Sequence, residues 1–303
     1  MYDVIIIGSG PAGLTDGIYT TRANLKTLII AGVKWGGQLQ LTTLVENYPG
    51  FPDGIQGPDL MTAMRKQAEK FGAEIIDADF SNADFEAKPF KVLTSENSYE
   101  SKSVIIATGA DTKWLEAKGE KEKIGRGISS CAPCDAPFFK DKNVIVVGGG
   151  DSAMEEALVL TKFAKEVTLV HRRDAFRASQ IMQEKVKNNP KIKILFNTEI
   201  TEILGQDKVT GVKLKNNKTN ETTEMPIDGV FVAIGHLPNT NMLSGIDTDE
   251  GGFIKVYDHT KTNVEGVFVA GDVHDNHYKQ AVTAAGFGCQ AALEVEKWLR
   301  DKH

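Results

Sequence analysis

Twice in this chain a short aliphatic run leads directly into a glycine-rich turn and then into a helical pattern. Val4-Ile5-Ile6-Ile7 is followed by Gly8-Ser9-Gly10-Pro11-Ala12-Gly13, and Val144-Ile145-Val146-Val147 by Gly148-Gly149-Gly150-Asp151-Ser152-Ala153. Four consecutive apolar residues bounded by a turn describe a strand buried on both faces, as in parallel sheets. The helical patterns run to about Ala23 and about Ala164. Each unit also closes alike, with Val104-Ile105-Ile106-Ala107-Thr108-Gly109 and Val230-Phe231-Val232-Ala233-Ile234-Gly235. A third run, Val267-Phe268-Val269-Ala270-Gly271-Asp272, precedes a last helical segment from about Lys279 to Leu299. The pattern predicts an α/β chain of two Rossmann-like, three-layer nucleotide-binding domains, one inserted into the other. The outer domain spans 1–112 and resumes over 242–303, and the inner one occupies 113–241. The crossings fall in the polar, turn-rich Ala110-Asp111-Thr112-Lys113 and Pro238-Asn239-Thr240.

A chain of 303 residues is long for a single core, which agrees with two domains. Its net charge of −6 argues against a general nucleic-acid binder. The first apolar run stops at Gly8, too short for a membrane span or a secretory leader, so a cytoplasmic protein without a membrane partner is expected.

The first glycine turn has the context of a dinucleotide site. Its first glycine makes the tight turn, its second admits a pyrophosphate, and its third lets helix pack on strand. Unpaired N–H groups at the helix start face the phosphates. A turn without a ligand is the alternative. The second strand, Thr27–Ile30, ends in Ala31-Gly32, where a ribose-binding acid usually stands. In the second unit, strand Val167–Val170 is followed by His171-Arg172-Arg173 and Arg177. Guanidinium groups there suit the 2′-phosphate of NADP, the alternative being a solvated basic loop.

Only three cysteines are present, too few for a disulfide framework. Cys131-Ala132-Pro133-Cys134 has the spacing of a redox pair, whose chemistry is governed by thiol pKa. Zinc would need further ligands that the sequence does not offer nearby, and a reduced, inert pair is the remaining alternative. Asp135 is a candidate acid–base group that could protonate a departing thiolate, or else a turn-capping residue. Cys289 reads as a small buried residue. His274 and His277, beside Asp272 and Asp275, form a weak metal pattern.

In this order, GSGPAG, CxxCD, GGGDSA, HRRxxxR and VFVAGD resemble the low-molecular-weight thioredoxin reductases over essentially the whole chain. Gly36-Gly37-Gln38-Leu39, Glu46-Asn47-Tyr48-Pro49-Gly50 and Ile234-Gly235-His236 agree, as does the missing acid after Ile30. The resemblance implies FAD in the outer domain, held by Gly8, Gly10, Pro11, Ala12, Gly13, Gln38, Asn47, Asp272, Gln280 and Ala281. It implies NADPH in the inner domain, on Gly150, Asp151, Ser152, Glu155, His171, Arg172, Arg173 and Arg177. NADPH would reduce the flavin, which would reduce a Cys131–Cys134 disulfide. Cys134 would meet the flavin, Cys131 would exchange with a thioredoxin-like partner, and Asp135 would serve as acid–base group. A homodimer and a rotation between domains are also implied. Pro133, Ala136-Pro137, Lys279, Phe287 and Asp16 depart from the usual pattern; for Asp16 the sequence suggests only an interaction near a helix start. Competing readings are a ferredoxin-linked or peroxiredoxin-linked flavoenzyme of the same fold, or a flavin redox sensor.

Overall fold

A computed structural model describes residues 1–302. The chain divides into two compact units, Met1–Asp111 together with the segment from Leu237 onward, and Thr112–His236. Its helices are α1 (Pro11–Arg22), α2 (Gly57–Lys70), α3 (Ala132–Asp135), α4 (Asp151–Leu160), α5 (Gln180–Lys187) and α6 (Ala281–Lys302). The fourth stops short of Ala164 because the chain tightens there, with Phe163 and Ala164 both donating to the Leu160 carbonyl. The last begins at Ala281 because Lys279 adopts a left-handed φ of 48°, which no helix can contain.

In the first unit a seven-stranded sheet runs Glu74–Ile76, Thr27–Ile30, Tyr2–Ile7, Ser98–Ile106, Phe90–Thr94, Phe80–Asp84, with Val267–Val269 also on Ser98–Ile106. The long strand Ser98–Ile106 is shared along its length. Its first half pairs antiparallel with Phe90–Thr94, and its last residues pair parallel with Val267–Val269. Alternation then sorts the side chains. Val4, Ile6, Ile29, Ile105 and Phe268 pack with Leu14, Leu60, Met61 and Val295 on the helical side. Ile5, Ile7, Leu28, Val104 and Val267 pack with Phe80, Phe90, Val92 and Ile254 on the other.

The second unit repeats the plan with five parallel strands, in the order Ile128–Ser129, Gly229–Val232, Asn143–Val147, Glu166–Val170, Ile192–Leu195. Val144, Val146, Val167 and Leu169 face α3, α4 and α5. Ile145, Val147, Val170 and Val230 face an antiparallel sheet of Thr198–Leu204, Gly211–Asn216 and Thr222–Pro226. Both sheets are thus covered on both faces, as their continuous apolar strands require. The strands in which the chain leaves and re-enters the first unit, Ala110–Thr112 and His236–Pro238, form a small two-stranded ladder of their own.

The glycine turns set how near each helix lies to its strand. Gly8 has φ 116°, and a Cβ on it would fall 2.2 Å from the Ala107 carbonyl oxygen; a Cβ on Gly13 would fall 2.0 Å from that of Gly8. Both obstacles are backbone and cannot rotate away. Gly10, by contrast, has open space where its Cβ would be. Gly13→Ala is therefore expected to destabilise the flavin-free protein by about 1–3 kcal/mol. Gly10→Ala should change stability by less than about 1 kcal/mol. Urea unfolding of both variants checks this, and equal losses would contradict the close-approach argument.

Candidate active site

In the first unit the start of α1 is an open cradle. Gly10 is its N-cap in extended conformation, with no side chain capping the helix, and Pro11 follows at the first helical position. Ser9 donates to the Ala31 carbonyl at 2.7 Å and accepts from the Gly36 N–H at 2.9 Å. It thereby ties the turn to the loop bearing Gln38, which donates to Asp111 at 2.8 Å. Asn47 donates to the Gln280 side chain at 3.3 Å, so two distant predicted residues do meet. Ala281 opens α6, and the Gln280 N–H ahead of it is held by the Thr283 hydroxyl.

Asp272 lies just after strand Val267–Val269, with Oδ1 buried and without a partner. Burial, reinforced by the Asp275 carboxylate and opposed by Lys279, pushes its carboxyl up to about 6. Asp275, which sequence reasoning treated only as part of a metal pattern, has a different job. Its carboxylate accepts from the N–H groups of His277, Tyr278 and Lys279 and so folds the loop that leads into α6. Burial works against its ionisation, but these three bonds outweigh it and hold the carboxyl below its ordinary value. His274 packs edge-on against Phe287 at 4.5 Å between ring centres.

In the second unit Gly150 is the extended N-cap of α4, again with open space beside it. The Gly149 carbonyl accepts from the N–H groups of Arg177 and Ala178 at 2.8 and 3.1 Å. Asp151 accepts from the backbone and hydroxyl of Ser179, which hold its carboxyl below the usual range. These bonds bring the arginine loop onto the glycine turn. Ser152, Glu155, Arg172, Arg173 and Arg177 are exposed. The ion pairs of this unit use other residues, Lys118 and Lys213 with Glu202, Lys213 with Glu224, Lys193 with Glu166, and Lys218 with Asp174. His171 is buried, its ring fills the space a Gly149 Cβ would need, and Nε2 lies 3.1 Å from the Ala175 carbonyl oxygen. Burial lowers the imidazole below its ordinary value, with Arg177 and Arg173 adding to the effect. Its ring lies between the glycine turn and the arginine loop.

Cys131 and Cys134 are joined as a disulfide across α3, with Cα atoms 5.3 Å apart. Cys131 is the N-cap, and its carbonyl accepts from the N–H groups of Cys134 and Asp135. Ser129 accepts from the Cys131 N–H at 3.0 Å. Asp135 makes no side-chain capping bond, which removes the turn-capping alternative. Burial raises its carboxyl above the ordinary value, against a hydrogen bond from Ser129 that lowers it. A carboxyl so placed holds a proton at higher pH than an ordinary aspartate.

Two sequence expectations need correction. Asp16 lies beyond the first turn of α1, fully buried with both carboxylate oxygens unpartnered. Burial, then Cys289, drives its carboxyl well up, and its place beyond the first turn removes it from the helix end. Cys289 is half-buried rather than buried, and it raises the neighbouring Tyr19 hydroxyl above its ordinary value.

Two glycine-turn nucleotide cradles and an oxidised Cys-x-x-Cys define a disulfide oxidoreductase that works with FAD and NADPH. Residues 2–288 match the pyridine nucleotide-disulphide oxidoreductases, and the chain belongs to that family. Within it, a thioredoxin reductase of Rickettsia felis is 53% identical over 302 residues, covering 98% of this chain and 97% of its own. One of Mycolicibacterium smegmatis is 49% identical over 304 residues, covering 100% and 98%. Solved thioredoxin reductases of Giardia duodenalis and Streptococcus pyogenes match with TM-scores of 0.94 and 0.94 at 45% and 44% identity, over 99% of each chain.

The residues fit the two cofactors. The unpartnered Asp272 oxygen suits a hydroxyl donor such as a flavin's ribityl chain supplies, and the exposed guanidinium groups of Arg172, Arg173 and Arg177 suit a phosphate. A hydroxyl donor favours the ionised carboxylate, whereas the empty protein favours the protonated one. FAD affinity should therefore rise with pH, by up to about tenfold per unit below the midpoint near 6, and level off above it. Titration of flavin-free protein with FAD between about pH 5 and 7 checks this. Asp272→Asn should flatten the profile, and a flat wild-type profile would contradict the assignment.

Proposed function

We propose that this oxidoreductase carries reducing equivalents from NADPH to the disulfide of a thioredoxin-like protein, with Cys131 and Cys134 as the exchanging pair. The observation that carries the proposal is the oxidised Cys131–Cys134 pair on a helical turn whose next residue, Asp135, is biased to hold a proton. FAD, when bound, supplies the two-electron link between NADPH and this disulfide. Gly8, Gly10, Pro11, Ala12, Gly13, Gln38, Asn47, Asp272, Gln280 and Ala281 would hold it. Gly150, Ser152, Glu155, Arg172, Arg173 and Arg177 would hold NADPH, with Asp151 and His171 shaping the loop.

Reduction of the pair places two electrons on its sulfurs, and Asp135 supplies a proton to one of them. The Cys131 thiolate then attacks a sulfur of the partner's disulfide. That bond breaks, the leaving thiolate takes a proton, and a mixed disulfide links the two proteins. Cys134 attacks Cys131 Sγ and releases the second partner thiol, which restores the Cys131–Cys134 bond. The partner ends two electrons reduced. The family resemblance supports a homodimer in the cytoplasm; no helix among the described residues is long and apolar enough to cross a membrane.

Anaerobic titration with NADPH tests the circuit. About four electrons per flavin are expected, two on the flavin and two on the dithiol. Cys134→Ser should take up about two, keep reduction of the flavin by NADPH and lose thioredoxin reduction. Normal thioredoxin turnover in that variant would end the mechanism, and a flavin that NADPH cannot bleach would favour a ferredoxin donor or a sensor.

Arg172→Ala combined with Arg173→Ala should raise the KM for NADPH by about 10–100-fold, the scale of one or two charge-assisted hydrogen bonds. NADH, which lacks the 2′-phosphate, should be affected far less. Steady-state kinetics with both nucleotides decides it, since equal losses would remove the assignment.

A further inference from the structure

The loop that carries the arginines is held from several directions. Its later residues rest on the glycine turn, through the bonds from Arg177 and Ala178 to the Gly149 carbonyl. The Phe176 ring packs against both His171 and Phe196, at 5.5 and 4.6 Å between ring centres. Its early residues are held by their carbonyl groups, and by a different part of the chain. The His171 carbonyl accepts from the Thr198 N–H at 3.0 Å, and the Arg173 carbonyl from the Asn197 N–H at 2.9 Å. The Arg172 carbonyl accepts from Asn217 Nδ2 at 3.2 Å. A carbonyl oxygen can only accept, so this bond also fixes which end of the Asn217 amide faces the loop.

Asn197 and Asn217 meet because of local turn chemistry. Asn197 follows strand Ile192–Leu195 and takes a left-handed φ of 51°, a conformation that asparagine tolerates. Asn217 opens the tip of the hairpin between Gly211–Asn216 and Thr222–Pro226. The Asn216 side chain accepts from the N–H groups of Lys218 and Thr219. The Asn220 N–H, at a φ of 59°, closes the tip on the Asn216 carbonyl. So folded, the tip donates its Asn217 N–H to the Asn197 carbonyl at 2.6 Å. Asn217 thus stands on Asn197 with its backbone and on Arg172 with its side chain. Lys218 beside it meets Asp174 at 3.3 Å, but both groups are exposed and such a pair contributes little.

We propose that Asn217 is a positioning residue for the 2′-phosphate of NADPH, acting through the backbone of Arg172 and Arg173. This rests on the assignment of those two arginines to that phosphate and goes a step beyond it. A pair of guanidinium groups grips a phosphate best when its backbone is already in place, because ordering a loop on binding subtracts from affinity. Of the donors on the His171, Arg172 and Arg173 carbonyls, only that of Asn217 belongs to a side chain. The bonds of Arg177 and Ala178 to Gly149 and the open start of α4 do not involve the hairpin. The effect of Asn217 is therefore confined to ligands that carry the 2′-phosphate.

The test is made on the full-length, flavin-loaded protein with adenosine 2′,5′-bisphosphate and 5′-AMP, which differ only in that phosphate. Calorimetry gives the affinity for each. Asn217→Ala removes the side-chain donor and keeps the backbone one. It should weaken the bisphosphate by about 3–10-fold, the scale of one neutral hydrogen bond, and change 5′-AMP by less than about twofold. Unaltered 5′-AMP binding also reports that the variant is folded. In steady-state turnover the KM for NADPH should rise in the same proportion, with kcat near wild type. Bisphosphate affinity equal to wild type would overturn the proposal and leave the arginine assignment standing. So would equal losses for the two probes, which mark a general disturbance of the unit, or a fall in kcat with KM unchanged. A wild type that binds the two probes equally would remove the arginine assignment itself, and the role of Asn217 with it.

Discussion

Everything functional in this chain depends on backbone passing close to backbone where a strand turns into a helix. At Gly8 and Gly13, and again at Gly148, where a Cβ would fall 2.4 Å from the Ala233 carbonyl oxygen, the chain has no room for a side chain. That intimacy puts the start of α1 or α4 at the end of a buried parallel strand. The N-caps Gly10 and Gly150 are then left extended, uncovered and free of side-chain caps. The same geometry that packs the core leaves helix N–H groups for a phosphate, so stability and binding derive from one feature.

Much of this was legible in the sequence because it rests on local rules. Unbroken aliphatic runs such as Val4–Ile7 and Val144–Val147 announce strands covered on both faces, and the glycine spacing announces their exit into a helix. The repetition of that unit, with its closing runs, gives two nucleotide-binding folds. The partner layers were harder to see. The sheet of Thr198–Leu204, Gly211–Asn216 and Thr222–Pro226 shows water one face rich in Thr, Glu and Lys, and its apolar positions are too sparse to stand out from a loop.

The site was legible in kind more than in role. His171 sits in a basic motif, yet its ring is spent filling the hollow beside Gly149. Asp275 resembles a metal ligand by its neighbours, yet it is spent on three N–H groups of its own loop. Asn217 is one of a run of polar residues at a hairpin tip, and only the three-dimensional approach of that tip to Arg172 separates it from its neighbours. Asp16 is the reverse case, a residue the sequence marks as odd and the structure leaves without a partner. In each instance the deciding fact is a contact between residues distant in sequence or a degree of burial, neither of which periodicity encodes.

The small ladder of Ala110–Thr112 and His236–Pro238 has a consequence for how such a chain can arise. The inner unit enters and leaves through neighbouring strands, so its two ends lie side by side like those of a cassette. Neither large sheet is cut by the insertion. A recombination event at these two points exchanges a complete redox and nucleotide module while the outer fold keeps its own hydrogen bonds. Donor and acceptor specificity in a lineage of such proteins can therefore be inherited in one piece rather than assembled residue by residue.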